Sequence, residues 1–371
     1  MKKVIQINLL ILLVSIIAIE IGLRFFPIPD PYEKEKVSIL YYFKPATAPH
    51  RELHFFIEDS LPGFDQYKKE VTYLTNNMGF RGTKETNVEK AEGVFRIFAV
   101  GGSTTQSYVM DEGDDWPALL GGQLNTEHDG KFEVINTGQS GHSLSDHLHL
   151  IIQKLIYLNP DLFIVYAGAN DVDKLLTTQD LYQTNVKNAR QDQPAKFLAT
   201  EFQLGRRLHY LLKGYSHNEI HLTSEASEKA RNTLRALPPE TNLPELDFEY
   251  SLDNLRAIIG VCQSLNIKLM VITQAVSWDE TDSEMDNWHF MVNKQGKRFD
   301  ERVLNRLNAD LNKGMIEVCG EMEVPFFNAQ DYLSPTSENF YDDMHLNYEG
   351  NMRMAQLVYD FLQKNSALIK P

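Results

Sequence analysis

FRIFAVGGSTTQ, residues 95–106, is the stretch that decides how the rest of the chain is interpreted. Its first six residues form a short apolar run with Ile and Val, which is typical of a buried strand. Gly101 and Gly102 end the run and allow backbone angles that a Cβ would forbid. Ser103 follows at the carboxyl end of the predicted strand, where open α/β sheets bind ligands. Ser103 is therefore either a nucleophile or, more simply, the N-cap of the next helix.

Four more apolar runs of strand length follow along the chain, and amphipathic helical patterns lie between or after them. The predicted strands are 95–100, 132–136, 161–166, 267–273 and 324–328. The predicted helices are 116–124, 146–158, 248–265, 303–322 and 349–363. This alternation predicts an α/β fold with a parallel five-stranded sheet, helices on both faces and right-handed crossovers.

Composition narrows the class of protein. The 371 residues suit one large α/β domain with extra segments, or two domains. The formal net charge of -15 argues against nucleic acid as a partner, because phosphates would be repelled. The two cysteines, Cys262 and Cys319, fall on apolar stripes of predicted helices. That placement favours two buried thiols over one disulfide, which an exported chain would also permit.

The N-terminal segment differs from the rest. Lys2 and Lys3 precede an apolar stretch, and residues 4–26 are long enough to span a bilayer although Glu20 interrupts them. We find no small-residue cleavage site after the stretch, so an uncleaved anchor is favoured over a cleaved signal peptide. A buried amphipathic helix is a third alternative. The lysines predict a cytoplasmic N-terminus, which puts the rest of the protein outside the cytoplasm, in the periplasm or at the cell surface, or secreted if the segment is cleaved.

Three parts of the chain do not belong to the strand and helix alternation. Residues 27–93 are interpreted as a membrane-proximal segment with a small hairpin at 72–82, from which Arg81 is one candidate to reach the site. Residues 173–246 are predicted to be a mostly helical insertion, a plausible lid with a basic spot at Arg206 and Arg207. Residues 275–300 form a second irregular excursion.

Chemically useful side chains follow four of the predicted strands. Ser103 follows the first strand and Gly141 the second; Asn170 follows the third, and Asp342 and His345 follow the fifth. Because the carboxyl ends of parallel strands share one edge of the sheet, these residues are expected to converge.

The residue types suit nucleophilic catalysis. A serine hydroxyl needs a base within hydrogen-bond reach, and His345 is the best-placed candidate. Asp342, three residues earlier, is placed to orient the imidazole and stabilise its charged form. The N–H groups of Ser103 and Gly141, with the side-chain amide of Asn170, would supply three donors to a developing oxyanion.

Four short blocks resemble those of the SGNH hydrolases, also called GDSL esterases. They are GGST at 101–104, Gly141, GAND at 168–171 and DDMH at 342–345. Their order and spacing match the family from about residue 94 to residue 364. The DxxH pattern favours Asp342 over Asp343 as the orienting carboxylate.

The resemblance implies a flavodoxin-like three-layer sandwich and ester hydrolysis. It assigns the site to Ser103, Gly141, Asn170, His345 and, as the third member of a triad, Asp342. No cofactor is required. One departure from the family pattern is Gly102, because the usual residue before the serine is Asp; support of this turn must therefore differ here.

The resulting expectation is an esterase domain at 94–371 that removes an acyl group, such as acetyl, from an envelope glycan or lipid. An O-acyltransferase to a sugar hydroxyl, or a non-catalytic glycan-binding protein on the same scaffold, are the alternatives. His142, His147 and His149 raise the possibility of a metal site, but His147 and His149 lie two apart on a helix and point to different faces, so no metal is expected.

Overall fold

The computed structural model of the protein describes residues 2–28, 49–57, 61–128, 131–178, 202–213, 219–222, 232–233, 236–278, 285 and 297–370. The chain divides into two compact units. The smaller one comprises Met1–Ala48 and Tyr182–His217, and the larger one comprises Pro49–Leu181 and Asn218–Pro371.

The elements are numbered in chain order. The strands are β1 (Glu52–Ile57), β2 (Glu70–Leu74), β3 (Phe95–Gly101), β4 (Phe132–Asn136), β5 (Leu162–Ala167), β6 (Glu219–Leu222), β7 (Pro239–Glu240), β8 (Lys268–Thr273), β9 (Arg298–Phe299) and β10 (Phe326–Asn328). The α-helices are α1 (Lys2–Arg24), α2 (Ser103–Gln106), α3 (Trp116–Glu127), α4 (Leu144–Gln153), α5 (Ala169–Thr178), α6 (Gln203–Lys213), α7 (Glu249–Ser264), α8 (Glu301–Glu321) and α9 (Tyr348–Lys364).

The main sheet confirms the predicted α/β architecture. Its five strands are all parallel and lie in the order β10–β8–β5–β3–β4. Each lies within two residues of a strand predicted from an apolar run. The chain moves outward from β3 to β4 and then returns to β5, so the strand order reverses beside the carboxyl end of β3. That reversal is the flavodoxin-like switch point at which ligands bind.

Helices cover both faces of this sheet, which gives three layers. Helices α4, α7 and α8 pack against one face of the sheet, around a core that includes Phe98, Phe163 and Val271. Helices α3 and α9 pack together on the other face, around Ile97 and Ile164. Every residue of β3 and β5 is buried, and apart from Arg96 and Gly101 their residues are hydrophobic, as expected for strands covered on both faces.

A smaller sheet was not predicted. Strand β1 pairs antiparallel with β2 and parallel with β6, giving the order β2–β1–β6. Within the predicted hairpin at 72–82, Thr75 and Arg81 form an isolated antiparallel bridge. Strand β6 belongs to the insertion predicted to be mostly helical, so part of that insertion completes a sheet instead.

Much of the insertion at 173–246, which was predicted to be a lid, and of the excursion at 275–300 lies outside the described residues. Of the described residues there, Trp278 is fully buried. Cys262 and Cys319 are free, buried thiols, and burial raises the pKa of each to about 12.

The smaller unit contains α1 and α6. From Gln6 to Arg24, α1 has a mean hydropathy of 2.2, and it is long and apolar enough to cross a membrane. This length and composition fit a signal anchor or a signal sequence.

Candidate active site

Ser103 lies at the switch point of the main sheet, as the first residue of α2. Its backbone N–H is one of the first-turn donors that have no acceptor inside their own helix. Arg81 lies behind this turn rather than in front of it. Its guanidinium donates to the carbonyl oxygens of Gln106 and Met110, at 3.0 and 2.7 Å, and to the Asp115 carboxylate at 2.7 Å. Arg81 therefore holds the chain that follows the serine and does not face the reaction site.

His345 joins Ser103 to Asp342. The imidazole Nε2 lies 2.7 Å from the Ser103 Oγ, and Nδ1 lies 2.8 Å from each carboxylate oxygen of Asp342. A carboxylate accepts only, so Nδ1 carries the proton and Nε2 is left to accept from the serine hydroxyl. The side chains of His345 and Asp342 are 24% and 16% exposed. The pair is therefore largely shielded from solvent, while a substrate can still reach it.

The loop that carries His345 is fixed by its own hydrogen bonds. The backbone N–H groups of Met344 and His345 donate to the Asp342 Oδ1, at 3.1 and 2.8 Å. The Ser277 hydroxyl donates to the Asp342 carbonyl at 2.7 Å. The Tyr341 ring stacks on the imidazole with centroids 5.6 Å apart. Ser277 and Tyr341 were not predicted from the sequence as part of the site, because neither belongs to a motif.

The electrostatics of the loop favour a basic imidazole. Burial by itself lowers the pKa of His345, but the charge and hydrogen bond of Asp342 and the charge of Asp343 outweigh it, so the pKa is raised above 6.5. The Asp343 carboxyl is buried, and its pKa is raised well above its usual range, first by burial and then by the Asp342 charge. Asp342, and not Asp343, contacts the imidazole.

The Asn170 amide lies over the residue that precedes the serine. Its Nδ2 donates to the His142 carbonyl at 2.9 Å, which leaves a second amide hydrogen for a substrate oxygen. A Cβ on Gly102 would lie 2.5 Å from this Nδ2, which is too close for a real side chain. A side chain at position 102 would therefore force the Asn170 amide to shift from the position it occupies here.

The loop that carries Gly141 is fastened beside the same turn. Before Gly141, the N–H of Gln139 donates to the Gly101 carbonyl at 2.9 Å. After it, His142 accepts from Asn170. Gly141 itself has a φ of 70°, in the left-handed region that glycine tolerates best. Gly141 thus lies between two hydrogen-bonded residues, Gln139 and His142, which contact the Ser103 turn and Asn170 respectively.

Asp171 is a buried carboxylate that connects two elements of the site. In the sequence it was noted only as part of the GAND block. Its carboxylate accepts from the Leu144 N–H at 3.1 Å and from the Ser251 hydroxyl at 2.7 Å. This links the start of α5, which carries Asn170, to the start of α4, which follows Gly141. Burial raises the pKa of Asp171 to about 6.

The described residues do not bring the three histidines considered for metal together as a ligand set. His142 and His147 are buried with ring centroids 6.1 Å apart, whereas His149 is partly exposed. Among the described parts of the chain, Asp342, Asp343 and His345 are close enough to hold an ion. Asp342 already directs both oxygens at Nδ1, which suits a hydrogen-bonded triad.

The contact between Gly102 and Asn170 leads to a test by substitution. Asn170→Ala should lower kcat on an ester substrate about a hundredfold, with a smaller effect on KM, because an oxyanion donor acts mainly in the transition state. Gly102→Ala should also lower kcat, because the new methyl group displaces the amide. Gly122→Ala is the matched control, since nothing lies within 4 Å of a Cβ there. The measurement is the steady-state kcat and KM of the three variants on the same ester substrate.

An Asn170→Ala loss confined to KM would make Asn170 a substrate-binding residue. An unchanged kcat in Gly102→Ala would show that the amide does not depend on the missing side chain.

Residues 99–353 match the GDSL-like lipase/acylhydrolase family. No curated protein matches the chain. Among solved structures, the chain is similar to an acetyl xylan esterase at 15% identity and a TM-score of 0.41, covering 73% of this chain and 99% of that one. An acetylxylan esterase from Geobacillus stearothermophilus gives 12% identity and a TM-score of 0.42, covering 73% and 96%. A GDSL-like lipase from Bacteroides thetaiotaomicron gives 13% and 0.38, covering 73% and 88%.

Proposed function

Because this chain belongs to the GDSL-like lipase/acylhydrolase family and is an ester-bond hydrolase, we propose that Ser103 is its nucleophile and that it removes an acyl group from an envelope glycan or lipid. The observation that supports this assignment is the hydrogen-bonded triad, in which His345 Nε2 lies 2.7 Å from the serine Oγ and Nδ1 is hydrogen-bonded to Asp342.

The mechanism follows from which atoms donate and accept. The Ser103 Oγ attacks the acyl carbonyl as Nε2 of His345 takes its proton, and Asp342 stabilises the imidazolium that forms. The N–H groups of Ser103 and Gly141, with the second amide hydrogen of Asn170, stabilise the oxyanion. The imidazolium then gives its proton to the leaving alcohol. Water, deprotonated by the same imidazole, hydrolyses the acyl-enzyme and releases the carboxylic acid. None of these steps draws on a cofactor.

The location of the enzyme is part of the proposal. Helix α1 serves as an uncleaved anchor within residues 1–26, with Lys2 and Lys3 on the cytoplasmic side. Residues 27–93 form the membrane-proximal segment, and residues 94–371 form the esterase domain with its insertion at 173–246. The catalytic domain then faces the periplasm or the cell exterior, where acylated envelope glycans and lipids occur.

The test is a substrate series with the detergent-solubilised full chain. Chromogenic esters of increasing acyl length and acetylated oligosaccharides are supplied with and without a free sugar acceptor, and the Ser103→Ala variant is the matched control. We expect one equivalent of free acid for each alcohol released, with or without acceptor.

Two other outcomes would overturn hydrolysis as the function. Acyl groups recovered on the added sugar would make the enzyme an O-acyltransferase that uses the same site. No turnover above that of Ser103→Ala, together with retention of oligosaccharide, would make it a glycan-binding protein.

A further inference from the structure

The carboxylate of Glu20 caps a second helix. Glu20 follows the apolar stretch of α1, and its oxygens accept the backbone N–H groups of Gln203 and Leu204, at 3.1 and 3.0 Å. These two residues begin α6, so the negative charge lies at the positive end of that helix. Arg24 donates to the same carboxylate at 3.0 Å. Glu20 is 9% exposed, whereas the exposed large apolar side chains between Ile7 and Ile21 are 42–61% exposed.

The segment after α1 is tied to α6 as well. The Ile28 N–H donates to the Gln203 side-chain oxygen at 2.9 Å, and the Arg206 guanidinium donates to the Ile28 carbonyl at 3.1 Å. Arg207 donates to the Phe26 carbonyl. Helix α6 is therefore fixed at the C-terminal end of α1, the end opposite to Lys2 and Lys3. Arg206 and Arg207, the basic spot noted in the sequence, both contribute to these contacts between α6 and the segment after α1.

Helix α6 presents large apolar side chains outward. Leu208 and Leu211 are 50% and 80% exposed. Leu204, Leu208 and Leu211 follow the four- and three-residue spacing that puts side chains on one helix face. Phe25 and Phe26, at the end of α1, are 76% and 73% exposed. Exposed large apolar side chains thus occur both directly after α1 and on one face of α6, and exposed apolar surface marks an interaction site.

We propose that α6 is an interfacial helix that lies in the headgroup boundary of the bilayer crossed by α1. Leu208, Leu211 and the two phenylalanines enter the acyl region, and Arg206 and Arg207 lie at the level of the lipid phosphates. A helix with an apolar face and arginines beside it binds a membrane surface by apolar burial and by attraction to anionic lipids. The occupant of this face is therefore a lipid surface that contains anionic headgroups. The inference rests on the proposed anchor.

This arrangement explains a charge that the sequence left without a role. A carboxylate four residues from the end of an apolar span would face lipid or headgroups unless it had partners. Here Glu20 meets two backbone donors and one guanidinium, so the same contacts that shield the charge also fix α6 at the membrane surface.

Site-directed fluorescence on the full chain tests the proposal. An environment-sensitive label is attached to Leu211→Cys, to Ile16→Cys within α1, or to Glu317→Cys, whose native side chain is 61% exposed on α8 of the larger unit. Each protein is reconstituted in phosphatidylcholine–phosphatidylglycerol vesicles whose acyl chains carry bromine near the headgroup or near the bilayer centre. Wild-type protein, which has no added cysteine, is treated with the same dye as a control for reaction at Cys262 and Cys319.

The expected pattern separates the anchor from the interfacial helix. Label at position 16 should be quenched by deep bromine, label at position 211 by shallow bromine, and label at position 317 by neither. Glu20→Ala should lose the shallow quenching at 211 while the deep quenching at 16 persists, because the α6 N–H groups lose their acceptor.

Departures from this pattern test the anchor and the interfacial helix separately. Quenching at 16 without quenching at 211 overturns the interfacial helix and keeps the anchor. Quenching at 211 alone supports the interfacial helix and overturns the anchor. Absence of quenching at both positions overturns both claims.

Discussion

Ser103→Ala is expected to abolish ester hydrolysis, with a loss in kcat on the order of a thousandfold or more. The change removes one hydroxyl whose partner is the His345 Nε2. Alanine is a better helix former than serine, so the start of α2 should persist. The expected result is therefore a folded protein with the thermal transition of the wild type and no acyl transfer to position 103.

The measurement combines kinetics with covalent trapping. A serine-directed phosphonate should label the wild type at Ser103 alone, as shown by peptide mass spectrometry. Ser264→Ala is the matched control, because Ser264 is exposed at the end of α7 and its hydroxyl donates to the Val261 carbonyl of its own helix. Label on another serine, or full activity in Ser103→Ala, would remove Ser103 from the proposed role.

His345→Ala should cost as much activity as Ser103→Ala, because the two side chains act as a unit. The double variant should then be no slower than either single variant. A double variant far slower than both would mean that the two residues contribute independently. Asp342→Asn should be milder, since the imidazole remains beside the serine although its Nε2 acceptor tautomer is no longer favoured.

The pH profile gives a sharper test of the same imidazole. His345 must be neutral to accept the serine proton, so kcat/KM should fall as pH drops through its pKa, which Asp342 raises above 6.5. Asp342→Asn removes the largest effect that raises this pKa, and burial then dominates. The acidic limb of the profile should therefore move to lower pH while the plateau falls. A limb that stays in place would show that another group titrates.

The sequence predicted the main sheet well because its signals are local. The inner strands β3, β5 and β8 are short, mostly apolar runs that are almost entirely buried, and the covering helices repeat apolar residues at helical spacing. The convergence of Ser103, Asn170 and His345 followed from topology alone, since parallel strands end at one edge.

Other features depend on partners distant in the sequence and could not be predicted in this way. The β1–β6 pairing joins His54 to Glu219, and no local pattern encodes that register. Ser277 is one serine among many until its hydroxyl is seen to reach Asp342. Arg81 was one candidate to reach the site from its position after a turn, yet it donates to backbone carbonyl groups and to the Asp115 carboxylate behind the serine.

The small sheet β2–β1–β6 also sets an order of events during synthesis. Its central strand ends at Ile57, while the strand that completes it begins at Glu219. A chain that emerges N-terminus first must therefore carry β1 and β2 as a two-stranded hairpin, which is marginally stable in water, until more than half of the protein has been made. The unpaired edge of β1 is open to wrong pairing throughout that interval. Completion of this sheet is thus a late folding step, and a nascent chain stalled before residue 219 should need chaperone protection.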